Sequence, residues 1–471
     1  MRAIQTFWSG NKDPLKNDFG WLSPEYNLMS WALSCLCLKK NYDEVILYTD
    51  SIGYKIFHDY LQLPYSEIVI SYDNLKCKEE HWAYPKLLSH SVQDKPFIHV
   101  DGDVYLPNKF SVEIESSALL TQNKEIGTSY YKNMMEHIKQ NELQMTDALI
   151  NELEKDSISS YNAGVIGGND VQFMKEYCNA AFDFIEINGL NEPNNNTNVN
   201  HNILFEQVLF YVLSKDRNKE VSTIINHNVC DNCYTYQDFC NFYTFQESSL
   251  MHIIGGHKKN PRVCELLSRI LLRKYPEYFV RIMNFFPQTH RRLNDNSSVI
   301  NIAENHLDNS DLVSYDKFLR NSLIQWNTLS KESLFDLEKK SCVYLDFINH
   351  FAINDPQNII QKNPHLVIYE LNKGADVQSN KLLKIRVDKE STFDKFDVAC
   401  IPTLTQNGYK EVLIDDLCYN ILQLLYEKKP LRRLFDEVVD TIKTDGEYSY
   451  DTVIKNHLEY LFYHKLIYVS L

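Results

Sequence analysis

Phe97-Ile98-His99-Val100-Asp101-Gly102-Asp103-Val104-Tyr105-Leu106 is the stretch on which the reading of the fold turns. Its first four residues are a short, mostly apolar run, which reads as a buried strand. The run ends in two carboxylates at i and i+2, and a turn at a strand end lets both face one point. With a flexible glycine between them, Asp101 and Asp103 are hard oxygen ligands suited to Mg²⁺ or Mn²⁺. An ion held there would bridge to a diphosphate. Asp-Gly is also a common turn dipeptide, so the pair alone divides evenly between a metal site and a plain polar turn.

Working back toward the N-terminus, strands and helices alternate. Residues 3–8, 44–48 and 68–70 are apolar runs that read as strands, and 25–38, 54–63 and 81–92 carry helical patterning. A β-α-β-α-β-α-β order predicts an α/β fold, a mainly parallel sheet with helices on both faces. Ligands of such sheets bind beyond the carboxyl ends of the strands, which singles out Trp8-Ser9, Thr49-Asp50 and Asp101-Gly102-Asp103. Further on, a strand is expected at 163–166, helices at 172–187 and 203–213, and a strand at 250–254. The Asn-rich tract 191–202 reads as a loop.

The expected strand at 250–254 opens a second informative segment, Leu250-Met251-His252-Ile253-Ile254-Gly255-Gly256-His257-Lys258. A histidine at a strand end supplies a metal ligand, Gly255 lets a backbone approach a phosphate closely, and Lys258 brings charge to it. A lone histidine on an apolar strand is more often a core residue. Its spacing to Gly255 and Lys258, together with Asp101 and Asp103, reverses that weighting.

These motifs, with Asn162-Ala163-Gly164 and Glu206-Gln207, occur in the order seen in retaining GT-A glycosyltransferases of the family 8 type, which residues 1–290 resemble. The resemblance implies that Asp101, Asp103 and His252 hold Mn²⁺ or Mg²⁺, with Gly255 and Lys258 on the donor diphosphate. It implies that Gln207 and Asn162 act beside the transferred sugar, with Gly164 next to them. Thr6, Trp8 and Asp50 would hold the nucleotide, expected to be uridine. Lys86 would pair with a donor phosphate or a sugar carboxyl, although a solvated helix lysine is an equal alternative. The chain departs from the family in having Glu206-Gln207 for Asp-Gln and Lys259-Asn260 for Pro-Trp. A phosphatase of the haloacid-dehalogenase type competes less well, because its motif wants Thr or Val where Tyr105 stands.

Beyond residue 290 the texture changes. Residues 291–365 read as a helical connector, and 366–471 as an α+β domain with the outline of a winged helix. Strands are expected at 366–369, 383–387, 398–401 and 411–414, helices at 417–426, 431–442 and 450–463, and a closing strand at 466–469. The tail resembles PqqD-like leader-peptide recognition domains, which implies a precursor peptide or protein acceptor. A structural or dimerising appendage, hence a homodimer, is the alternative. A surface glycan or lipid-linked precursor is the runner-up acceptor, and a non-catalytic scaffold with a degenerate transferase domain is the reading from another class.

The chain has 471 residues and a formal net charge of −15, with 44% hydrophobic and 24% charged residues, as in a soluble globular protein. Such acidity argues against nucleic acid and anionic lipid as partners. No apolar segment is long enough to span a bilayer, and MRAIQTFWSG has no secretory core, so a cytoplasmic location is expected. The 11 scattered cysteines then read as reduced thiols, and Asn195 and Asn296 as unglycosylated. A single Cys230-x-x-Cys233, with Cys240 and His227 nearby, falls short of a zinc site.

Overall fold

The computed structural model describes residues 1–127, 131, 136, 138, 140, 143–191, 201–286, 310–343, 357–372, 395–405, 408–441 and 450–470. These fall into two compact units, Met1–Leu271 with Tyr275–Phe285, and Leu272–Lys274 with Phe286–Leu471.

The first unit is built on strands β1 (Arg2–Thr6), β2 (Val45–Thr49), β3 (Glu67–Ile70), β4 (Phe97–Val100), β5 (Val104–Tyr105), β6 (Leu119–Thr121), β7 (Lys124–Gly127), β8 (Ile158–Tyr161), β9 (Val165–Gly168), β10 (Val221–Thr223), β11 (Val229–Cys230) and β12 (Met251–His252). Seven of them form one sheet in the order β10-β6-β9-β4-β1-β2-β3. Strands β4, β1, β2 and β3 are mutually parallel, and β9 runs antiparallel to both β4 and β6. The expected α/β class with a mostly parallel sheet is therefore the observed one. Strands β2 and β4 are nearly continuous apolar runs, as parallel strands covered on both faces must be, and β1 buries its middle three residues, Gln5 among them.

Chain order reverses between β1 and β4, where connections leave toward opposite edges. That opens a crevice beyond their carboxyl ends, just past Thr6 and Val100. Helix α1 (Pro24–Asn41) opens with proline at its first turn, where the missing N–H costs nothing. Its Ser30 and Ser34 hydroxyls donate to the carbonyls of Gly102 and Val104 at 2.7 and 2.6 Å, pinning the turn after β4.

The expected strand 163–166 begins two residues later, because residues 162–164 form the turn that feeds β9. The strand expected at 250–254 shortens to Met251–His252, since it pairs only with two-residue β5. Residues 203–213 are helical as expected but start with a π-helical turn, Ile203–Val208.

The second unit has helices Ser310–Trp326 and Lys331–Cys342, and strands β13 (Ile359–Lys362), β14 (Val367–Asn372), β15 (Lys395–Pro402), β16 (Tyr409–Ile414), β17 (Lys429–Pro430) and β18 (Ile467–Ser470). Helices Asp416–Leu424, Leu431–Thr441 and Tyr450–Tyr463 lie between the last strands. Two antiparallel sheets result, β14-β15-β16 and β17-β13-β18. Tyr315, Leu319, Leu323 and Trp326 bury against Val398 and Cys400. Lys465 and Glu338 form a buried ion pair at 2.5 Å. Strand β13 lies inside the stretch read as a connector, yet pairs with β18 in this unit. The strand expected at 383–387, most of the Asn-rich tract, and Asn195 and Asn296 lie outside the described residues. Among the described residues, no helix is long and apolar enough to cross a membrane.

Candidate active site

A cavity of about 550 Å³ occupies the crevice beyond β1 and β4. Asp101, Gly102 and Asp103 line it from the end of β4, with Thr6, Phe7 and Trp8 from β1 and His252, Gly255 and Lys258 from the segment after β12. The turn is held by the Asp101 N–H donating to the Gly164 carbonyl at 2.9 Å and the Ile253 N–H donating to the Asp103 carbonyl at 3.0 Å. Trp31 closes under Gly102, where a Cβ would lie 2.3 Å from the indole, so only glycine fits.

The two carboxylates face different cations. Asp103 Oδ2 is 2.5 Å from Lys258 Nζ and 3.6 Å from His252 Nε2. Burial would raise its pKa, but Lys258 and His252 outweigh that and hold Asp103 far below the ordinary carboxylate range. Asp101 Oδ1 is 2.9 Å from Lys86 Nζ, which also lies 2.6 Å from the fully buried Glu206. Burial would lower the Lys86 pKa, yet the carboxylates of Asp101 and Glu206 raise it above the usual lysine value. Burial pushes Asp101 up despite Lys86. It also pushes Glu206 up to about 7, with Lys86 opposing and Asp101 adding to the rise.

The donor set suits a hard divalent ion. His252 Nδ1–H donates to Gln122 Oε1 at 2.7 Å, which turns Nε2 toward Asp103. A ring oriented through its second nitrogen is the usual support for a metal-ligating histidine. Asp101, Asp103 and His252 are not gathered into one tight ligand cluster, since each carboxylate is turned to a lysine.

Residues 1–285 match the profile of DUF6734, a family of unknown function. The chain belongs to that family. No curated protein matches it. Among solved structures, mouse xyloside xylosyltransferase 1 in its apo form is similar at 10% identity and a TM-score of 0.27, over 53% of this chain and 96% of that one. The inositol-1-phosphate CTP transferase of T. maritima is similar at 14% identity and a TM-score of 0.27, over 57% and 96%.

Most of the expected site residues of the DUF6734 region meet in this one cavity: Thr6, Trp8, Lys86, Asp101, Asp103, Asn162, Gly164, Gln207, His252, Gly255 and Lys258. Asp50 does not line it. Its carboxylate accepts the N–H groups of Ser9 and Gly53, each at 2.7 Å, and so caps the helix starting at Ser51 and ties down the loop after β1. The Asn162 carboxamide is also committed. It accepts from the Gly164 N–H at 2.9 Å and donates to Glu125 at 3.0 Å and to the Tyr234 hydroxyl at 2.9 Å. Gln207 Oε1, by contrast, has no hydrogen-bond partner among the described residues.

Sequence reasoning missed Glu125, Gln122 and Tyr234. Glu125 lines the cavity from β7 and accepts from Asn162, Tyr131, Ser160 and Tyr234. It also missed an aromatic group, Phe19, Trp21, Trp31 and Trp82, around the same cavity. Cys230 and Cys233 are exposed and, among the described residues, no third ligand joins them in a metal-binding cluster.

Proposed function

We propose that this protein is a metal-dependent glycosyltransferase of the GT-A type, moving a sugar from a nucleotide donor, UDP by preference, to an acceptor. One observation carries the reading. Asp101, Asp103, His252 and Lys258 converge in a single cavity at the sheet's order reversal, where an anionic ligand would otherwise meet a strongly acidic chain.

Asp101, Asp103 and His252 Nε2 would hold Mn²⁺ or Mg²⁺, which supplies charge neutralisation for a departing diphosphate. Lys258 reaches the same oxygens from the protein side. When a diphosphate enters, its exchange from Asp103 to phosphate keeps one ionic partner for the ammonium throughout. The chain thereby stabilises charge as it develops on the leaving group, a contribution of several kcal/mol in a water-poor site. Gln207, which lines the cavity and whose amide oxygen has no partner among the described residues, would meet the sugar. Same-face attack, and so retention, needs no covalent step by a side chain. The strand, helix and closing-strand order of 366–471 supports a winged-helix module that recruits a peptide or protein acceptor.

Asp103→Ala tests the site. Manganese titrated into the wild-type protein should strengthen UDP binding at least about tenfold, and the variant should lose that gain and all donor turnover while keeping its melting behaviour. Full turnover by the variant would overturn the assignment.

A further inference from the structure

The cavity is electrically divided about the Asp101-Gly102-Asp103 turn. At the Asp103 end lie Lys258 and, with its ring centroid 6.0 Å from that ammonium, Trp21. This end offers a cation and aromatic faces, the requirements of a diphosphate and a base. At the Asp101 end the polarity is opposite. Glu206 and Glu125 join Asp101 there, and one cation, Lys86, serves this end among the described residues.

Lys86 is not available to a ligand carboxylate. Its ammonium is held between Asp101 at 2.9 Å and Glu206 at 2.6 Å, and it is almost fully buried. Glu125 has no ion-pair partner among the described residues. Four neutral donors, the Asn162 amide and the hydroxyls of Tyr131, Ser160 and Tyr234, fix its orientation without cancelling its charge. With Asp101 given to the divalent ion of the proposed function, Lys86 stays paired with Glu206, and Glu125 is the carboxylate at this end left without a cation among the described residues. The remaining groups at this end are the Gln207 carboxamide and the Trp82 indole, 46% exposed beside Lys86.

We infer that the sugar subsite is built for a neutral sugar and rejects a uronic acid, with Glu125 as the specificity-determining residue. The inference rests on the nucleotide-sugar reading above. A neutral pyranose presents hydroxyl donors to the carboxylates and Gln207 Oε1, and an apolar C–H face to Trp82. A sugar carboxylate brings a like charge beside the half-buried Glu125, at an end whose cation is already paired, a juxtaposition that weakens binding at least about tenfold.

The test is calorimetric binding of UDP, UDP-glucose, UDP-galactose, UDP-glucuronate and UDP-galacturonate to the full chain in Mn²⁺. Each uronate should bind at least about tenfold more weakly than its matched hexose, and Glu125→Gln should shrink that gap at least about threefold. A uronate binding within about twofold of its hexose overturns the inference, and needs no variant to fold. An unchanged gap in a folded Glu125→Gln protein removes Glu125 from the role. Failure of UDP itself to bind with Mn²⁺ overturns the donor reading instead, so the two failures are distinguishable.

Discussion

At the scale of single residues, the candidate site depends on how closely Gly164 lets its neighbours approach. A Cβ built there would lie 2.7 Å from Gln122 Oε1 and 2.7 Å from His252 Cε1, the two groups whose hydrogen bond orients the imidazole. Gly164→Ala must push that pair apart, at an overpacking cost of about 1–3 kcal/mol. The fold survives such a cost, but the ring no longer presents Nε2 toward Asp103. Manganese affinity should fall about 10–100-fold, the usual effect of disturbing a ligand's supporting partner, while far-ultraviolet dichroism stays unchanged. Calorimetric Mn²⁺ titration checks it, and undiminished affinity would remove His252 from the ligand set. This site was partly legible in the sequence because Asp101, Asp103, His252 and Lys258 sit in short local motifs at strand ends. Glu125 was not, since Lys-Glu-Ile-Gly reads as an ordinary polar strand. Its meaning comes from Tyr234, 109 positions away, and from Asn162, 37 away, which the fold brings to it.

At the scale of elements, the helix Asp416–Leu424 is started by Asp415, whose Oδ1 accepts the Cys418 N–H at 2.8 Å. Its other oxygen is 2.9 Å from His457 Nε2 on the helix Tyr450–Tyr463, so one carboxylate caps one helix and clamps another. The hydrogen bond that His457 donates to Asp415 raises the His457 pKa above 6.5, and its pairing is fully present below that value and lost as pH rises through the raised one. Asp415 is held down from 3.8 to about 2, although burial acts the other way, so its share is present above 3.8 and lost as pH falls through about 2. The clamp is strongest between those limits. His457→Ala should therefore lower the melting temperature more at about pH 5.5 than at about pH 8.5. Equal losses at the two pH values, read by scanning calorimetry, would show that the histidine acts through packing alone. The three helices after β16 were readable because each is a periodic segment, and β2 and β4 were readable as apolar runs. Strands β6, β10 and β11 were not, being three, three and two residues long and defined only by distant partners.

At the scale of the whole molecule, patterns of a few residues reveal composition and class but not which distant segments belong together. Strand β13 shows this. Ile359–Lys362 looks like part of a connector until it is seen to pair with Ile467–Ser470, more than a hundred residues on. The net charge of −15 is the one global property readable at once, and it sets the last prediction. A nucleotide diphosphate approaching so acidic a chain is repelled at long range, over a Debye length of about 10 Å at 0.1 M salt. On the proposed reading its attraction would be confined to contact with Lys258 and a divalent ion, a few ångströms that salt screens far less. Raising salt therefore weakens the repulsion more than the attraction. Association of UDP with the metal-free protein should be slow and should quicken, or at least hold steady, between about 20 and about 200 mM salt. A saturating Mn²⁺ concentration should raise affinity at every salt concentration in that range. Stopped-flow association rates across the series decide it: a steep fall in rate with salt would mean that a positive surface steers the ligand, and that the site's positive potential is not local.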